Sequence, residues 1–239
     1  MKEFKEGFIH SIETMGLVDG PGVRIVIFMQ GCPLRCLFCH NPETWEKSSK
    51  IKTTSKAIVD EVRKYRPYIE KDGGVTFSGG EPLLQSDFLL EMLKMCKKAG
   101  IHTCIDTSGT GYDKKYLDEI LRYTDLVILD IKAIDEKSYK NMTGKDMSNF
   151  NYFVDRMLEN NNKLWLRQVI VPNINDSEDY ILKLKKYIEK FKNVEKIELL
   201  PYHSMGIEKY KKLNIPYRLT ETPDMDKEKC KKLQELLNK

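Results

Sequence analysis

No stretch of the chain approaches 18 consecutive uncharged apolar residues, so no membrane-spanning helix is expected. The N-terminal segment carries Glu3 and Glu6 and no apolar run, so it does not read as a secretory signal. Neither sign of charge dominates. Lys and Arg number 40 against 36 Asp and Glu, a net +4 that is too weak to argue for a nucleic-acid partner. There is no fixed-period repeat, no low-complexity tract and no linker rich in Gly, Pro or Ser, so nothing marks a domain boundary. Residues 1–239 are read as a single domain. Hydrophobic residues make up 41%, which excludes a disordered chain. A chain of 239 residues buries enough surface to fold without disulfide staples. The cytoplasm is the expected location, where thiols stay reduced. The six cysteines therefore need another explanation.

Apolar runs with strand character fall at 23–29, 74–77, 102–105, 126–131, 164–171 and 196–201, with a further candidate at 8–13. Between them lie helical patterns at 54–65, from Ser86 to Gly100, and at 116–123, 150–159, 177–191 and 226–237, the last element expected to cover about 226–238. Ser86 and Ser177 stand where N-caps belong. Six strands with intervening helices predict βαβ units and an α/β fold with a parallel sheet. The unusual polar residues favour a barrel. Cys32, Gly79-Gly80-Glu81, Asp106-Thr107, Asp130 with Lys132, and His203 all sit at or just past strand ends, and Arg167 lies inside a strand. Barrels of this type carry their chemistry at the C-terminal strand ends. Six units rather than eight predict a partial (β/α)6 barrel, open on one side, with its core at about 22–203.

Cys32, Cys36 and Cys39 are spaced C-x3-C-x2-C within the loop 31–45. Thiolates this close select zinc or an iron–sulfur cluster. Three readings compete: free thiols, a zinc site completed by His40, and a [4Fe-4S] cluster with three protein ligands. The adjacency of Cys39 and His40 is awkward for one tetrahedral ion. A cluster held by three cysteines leaves one iron open, as catalysis requires. Cys96, Cys104 and Cys230 read as small core residues, Cys104 least securely because it shares a strand with Asp106.

The C-x3-C-x2-C spacing with Phe38 before the third cysteine resembles the radical S-adenosylmethionine (SAM) superfamily, and Gly79-Gly80-Glu81 resembles its GGE motif. Within that superfamily the segments 19–24 (DGPGVR), 39–45 (CHNPETW), 102–109 (HTCIDTSG), 130–132 (DIK) and 199–203 (LLPYH) resemble the glycyl-radical-enzyme activases, of the type that acts on pyruvate formate-lyase. Other activases of this group carry an inserted cysteine-rich module. Here no cysteine lies between Cys39 and Cys96.

The resemblance implies a [4Fe-4S] cluster on Cys32, Cys36 and Cys39, SAM on the open iron, and reductive cleavage of SAM to a 5′-deoxyadenosyl radical. It implies that this radical takes hydrogen from a backbone glycine of pyruvate formate-lyase, and that flavodoxin or ferredoxin donates the electron. Phe38, Cys39 and His40 are expected against the adenine. Gly79, Gly80 and Glu81 are expected near the methionyl group, and Asp106 at its ammonium. Asp130, Ile131, Lys132, Arg167 and His203 are expected at its carboxylate and ribose. Asp19 is expected toward the partner's glycyl peptide. A monovalent cation near Asp106, Thr107 and Asp130 is also implied. Asn41 reads as a loop-capping residue that also contacts SAM. Plain structural alternatives stand beside these: an ion pair of Asp130 with Lys132, a carboxylate partner for Arg167, a tight turn at Gly79-Gly80, and turn chemistry at Asp19. A monomer is expected. The rival functions are activation of another glycyl radical enzyme, radical chemistry on a small molecule, and a non-catalytic zinc module.

Overall fold

The computed structural model describes residues 3–47 and 51–239. The strands are β1 (Glu6–Gly16), β2 (Arg24–Met29), β3 (Ile51–Thr54), β4 (Gly74–Gly79), β5 (Thr103–Thr107), β6 (Leu126–Asp130), β7 (Lys163–Ile170) and β8 (Val194–Pro201). The helices are α1 (Ser55–Lys64), α2 (Arg66–Ile69), α3 (Ser86–Lys98), α4 (Lys114–Arg122), α5 (Glu136–Thr143), α6 (Ser148–Glu159), α7 (Glu178–Ile188), α8 (Ile207–Lys212) and α9 (Lys227–Asn238).

One eight-stranded sheet has the order β3-β1-β2-β4-β5-β6-β7-β8. From β2 through β8 all neighbours run parallel. These six parallel strands are the six apolar runs expected from sequence, and they form the expected partial barrel. Strands buried on both faces read as continuous apolar runs, as in Leu126–Asp130. At the other edge β1 lies antiparallel to both β2 and β3.

Helix starts follow local capping chemistry. Thr54, Asp113, Asp135, Ser177 and Asp226 each accept a backbone N–H in the first turn of the helix that follows. Ser177 caps as the sequence predicts. Ser86 does not: it is the first residue of α3, and its hydroxyl donates to the Leu83 carbonyl and accepts from the Asp113 amide. The sequence reading also passed over β3 and α5. In α5 the apolar pattern is thin, but two local signals mark it: the Asp135 cap and the left-handed Gly144 at its end.

Candidate active site

Side chains alternate across a strand. On one face Ile25, Ile27, Val75, Phe77, Ile105, Val127, Leu129 and Leu166 join the main core under the helices. On the other face Cys104, Leu126 and Ile128 form a small separate cluster with Trp165 against it. Two residues farther along the same face stand Phe28, Ser78, Asp106, Asp130, Arg167 and Val169, and all six line one cavity of about 300 Å³. The lower layer fills the barrel; the upper layer opens into the site. This placement puts Cys104 in the filled layer, fully buried, with Cys96 and Cys230 in the main core.

The cavity also takes Cys32, Cys36, Cys39, Phe38, His40, Gly79, Gly80, Thr107, Lys132 and Asp19 from the predicted set. Glu81, Ile131 and His203 do not line it. Ile131 is buried, its amide bonded to the Arg167 carbonyl at 2.8 Å. His203 stacks on His40 with ring centroids 4.0 Å apart, and its carbonyl bonds His40 Nε2 at 2.9 Å. The ring nitrogen Nδ1 of His203 is buried without a partner among the described residues.

Backbone bonds hold the cysteine loop at several points. The amides of Gly31 and Cys32 donate to the carbonyls of Thr44 and Trp45, at 2.8 and 3.1 Å. Those of Arg35 and Leu37 donate to the carbonyls of Thr143 and Met142 at the end of α5, at 2.8 and 2.9 Å. The Asn41 side chain does not cap the turn Pro42–Thr44; its Oδ1 accepts from Lys209 Nζ at 2.9 Å.

Gly79 and Gly80 serve this loop as well as the cavity. The Gly80 amide donates to Met29 O and the Glu81 amide to Gly31 O. A Cβ on Gly80 would stand 2.3 Å from Gly31 O, and Gly79 has φ +107°. Glycine is thus required where the two loops touch.

The Glu81 carboxylate ties β4 to β5. It accepts from the Leu83 amide (3.1 Å), Thr107 Oγ1 (2.6 Å), and the Ser108 amide and hydroxyl (2.8 and 2.5 Å). Burial outweighs these four donors and pushes its pKa up to about 7. Such a group binds its proton more tightly folded than unfolded. Its stability contribution is therefore full below the unfolded pKa, about 4.5, and is lost as pH rises toward 7. The stability of the wild type relative to Glu81→Gln should fall by about 2–3 kcal/mol between pH 5 and pH 8. Urea unfolding of both proteins across that range checks it, and parallel curves would reject it.

The charged residues alternate in sign. Lys132 Nζ lies 2.6 Å from Asp130 Oδ2 and 5.3 Å from the Phe38 ring centroid. Arg167 approaches Asp106 (3.9 Å) and Glu198 (3.1 Å), and donates to the Val18 carbonyl. Asp106 accepts from Ser78 Oγ at 2.9 Å, and its carboxyl is pushed up to about 6 by burial and by Asp130. Burial alone would lower Lys132, but Asp130 and Cys36 hold it well above the usual lysine range. The alternative of a mutual Asp130–Lys132 pair is therefore realised, and both partners face the cavity.

Asp19 arrives from the opposite end of the barrel. Its loop precedes β2, and its carbonyl accepts from Thr76 Oγ1 at 2.6 Å. The sequence reading missed Ser78, Trp45 and Val169 as lining residues. The signal for Ser78 and Val169 was period 2: each lies two residues from an inward-facing position.

The donor set fits a [4Fe-4S] cluster. The three thiols are free and partly accessible from the cavity. Burial pushes Cys36 up to about 11 and Cys32 higher still, so thiolates here call for a cation. Among the described residues, no three His, Cys, Asp or Glu side chains converge on a single ion. One zinc needs that convergence; a cluster does not, because each cysteine takes its own iron. A buried hydroxyl, that of Tyr139, also stands without a partner beside the loop.

The profile of the Radical SAM superfamily matches residues 26–184. The chain is 52% identical over 232 residues to the pyruvate formate-lyase-activating enzyme of Clostridium pasteurianum, covering 97% of each. It is 43% identical over 240 residues to that of Staphylococcus epidermidis, covering 98% of this chain and 96% of that one. Among solved structures, a domain of pyruvate-formate lyase-activating enzyme from Bacteroides vulgatus aligns with TM-score 0.56 and 26% identity, over 70% of this chain and 93% of that one. Streptococcus suis SuiB bound to S-adenosylmethionine aligns with TM-score 0.63 and 19% identity over 87% of this chain and 45% of that one, a likeness of fold. Near-full coverage at this identity, on a barrel with a cavity that gathers the three cysteines, settles membership: the chain belongs to the radical SAM superfamily and, within it, to the pyruvate formate-lyase-activating enzymes.

Proposed function

We propose that the chain installs a glycyl radical on pyruvate formate-lyase, using SAM and a [4Fe-4S] cluster on Cys32, Cys36 and Cys39. The observation that carries this reading is the cavity itself. It sets three thiols in one space with three carboxylates, an ammonium and a guanidinium. Cys32, Cys36 and Cys39 would hold the cluster, which when bound and reduced would supply the one electron for cleavage of SAM to methionine and the 5′-deoxyadenosyl radical that would take hydrogen from the partner's glycine.

This chain's residues bind, orient and exclude water. A zwitterionic methionyl group needs an anion for its ammonium and cations for its carboxylate. Asp106 suits the first; Lys132 and Arg167 suit the second. All three are already engaged with neighbours, so SAM exchanges partners rather than meeting bare charges, which keeps the desolvation cost low. Gly79 and Gly80 leave backbone open at the cavity wall. Phe38 and His40, the latter backed by the stacked His203, offer flat surfaces for the adenine. Asp19 reaches the cavity floor beside the expected glycyl peptide. Asp106, Thr107 and Asp130 form the oxygen-rich corner suited to a monovalent cation.

The chain works as one radical SAM domain and as a monomer, in the cytoplasm, with flavodoxin or ferredoxin as electron donor. Among the described residues no helix is long and apolar enough to cross a membrane. Electron paramagnetic resonance of the anaerobically reconstituted protein with reductant, SAM and pyruvate formate-lyase tests the reading. A glycyl radical on the partner is expected. Accumulation of 5′-deoxyadenosine without that radical would reject this partner and retain the chemistry. Neither signal from a fully loaded protein would reject both.

A further inference from the structure

Tyr139 lies on α5 with no exposed surface. Its ring packs against Phe150 at 5.8 Å between centroids. Its hydroxyl is buried and has no hydrogen-bond partner among the described residues. Buried tyrosine hydroxyls nearly always have a partner, because leaving one unpaired costs about 1–3 kcal/mol. A missing acceptor is therefore the feature to explain.

The position of the hydroxyl narrows the candidates. One turn beyond Tyr139, the carbonyls of Met142 and Thr143 hold the amides of Leu37 and Arg35 in the cysteine loop. The helix that carries Tyr139 is thus fastened to the segment that carries Cys36. Burial is the largest influence on the hydroxyl and raises its pKa; after it the ionisable groups that act on it are Cys36, Lys132, Glu81 and Cys32. Glu81 is filled by its own four donors, and Lys132 accepts nothing. Sulfur is what remains.

We propose that the Tyr139 hydroxyl donates a hydrogen bond to a sulfur of the cluster held by Cys32, Cys36 and Cys39, and so raises its reduction potential. The inference rests on the cluster reading above. A donor to sulfur favours the more negative, reduced state, one of the ways a protein tunes such a centre. Without the cluster the same hydroxyl is a buried polar group with nothing to bond. Its sign on stability therefore reverses between the two forms. A purely packing role for Tyr139 gives no such reversal.

The test is Tyr139→Phe, which removes the oxygen alone. Iron and sulfide content is measured first, then the cluster potential by resonance-monitored titration, then thermal midpoints of the metal-free and loaded forms. The variant should load iron as the wild type does. At a fixed ambient potential its reduced-to-oxidised ratio should fall about tenfold, which is 59 mV for one electron. Metal-free Tyr139→Phe should melt no lower than metal-free wild type, while its gain on loading should be smaller. An unchanged potential at full loading would overturn the proposal, as would equal destabilisation of both forms. Wild-type protein that takes up no iron and sulfide would instead overturn the cluster reading beneath it. If the Phe variant fails to accumulate, Tyr139→Met must give the same fall in ratio.

Discussion

Cys36→Ala is expected to abolish glycyl-radical formation, a loss on the order of 10⁶-fold or more, since the reaction has no alternative route once the metal is gone. Cys32→Ala and Cys39→Ala should do the same. The loop is held by its backbone, through the bonds of Gly31, Cys32, Arg35 and Leu37, and not by its thiols. The fold should therefore survive while iron content collapses. Cys96→Ala is the contrast. Cys96 is fully buried on α3 in the main core, so its loss should cost about 1 kcal/mol and leave iron and activity in place. Metal analysis and circular dichroism of all four variants separate the two classes. Retained iron in Cys36→Ala, or lost iron in Cys96→Ala, would contradict the ligand assignment.

Arg167→Leu should lower stability by about 3–5 kcal/mol, the usual result of stranding one partner of a buried ion pair. For a chain of this length that is roughly 6–20 °C in thermal midpoint. The side chain is only 8% exposed. In the parallel ladders its backbone partner is Asp130 on β6 and Glu198 on β8. The guanidinium reaches Asp106 and Glu198, and pins the loop before β2 through the Val18 carbonyl. Removing it leaves Asp106 without its own cation beside Asp130, which Lys132 already pairs. Arg167→Leu combined with Asp106→Asn should recover part of the loss, because the stranded charge goes with it. Calorimetry of the two variants checks both statements. A double variant no more stable than the single one would show that the Val18 contact, and not charge, dominates.

How far the sequence alone reaches can be judged residue by residue. The six parallel strands were legible because a strand covered on both faces must be a continuous apolar run. The cysteine loop was legible because three thiols in eight residues have few other uses. Most of the lining residues were legible from their place at strand ends. Local chemistry hid the rest. Glu81 stands next to the two glycines in sequence, yet its carboxylate is buried behind the cavity wall, held by Thr107 and Ser108. β3 and α5 lacked a strong apolar period, and only α5 left a local trace, in its Asp135 cap and left-handed Gly144.

The sequence by itself determined the strand set, the metal-binding loop and the kind of chemistry, because these follow from short-range pattern and residue type. Tertiary structure alone decided which charges meet. Asp106, Asp130, Arg167 and Glu198 come from four strands; only strand order and register set Asp130, Arg167 and Glu198 in one row, with Asp106 two residues off on the next strand. It also decided that Asp19 reaches the cavity from the far end of the barrel, and that the Tyr139 hydroxyl is sealed in beside the cysteine loop with no acceptor among the described residues. Such contacts join residues far apart in the chain, and nothing in local propensity or spacing encodes a distance across a sheet.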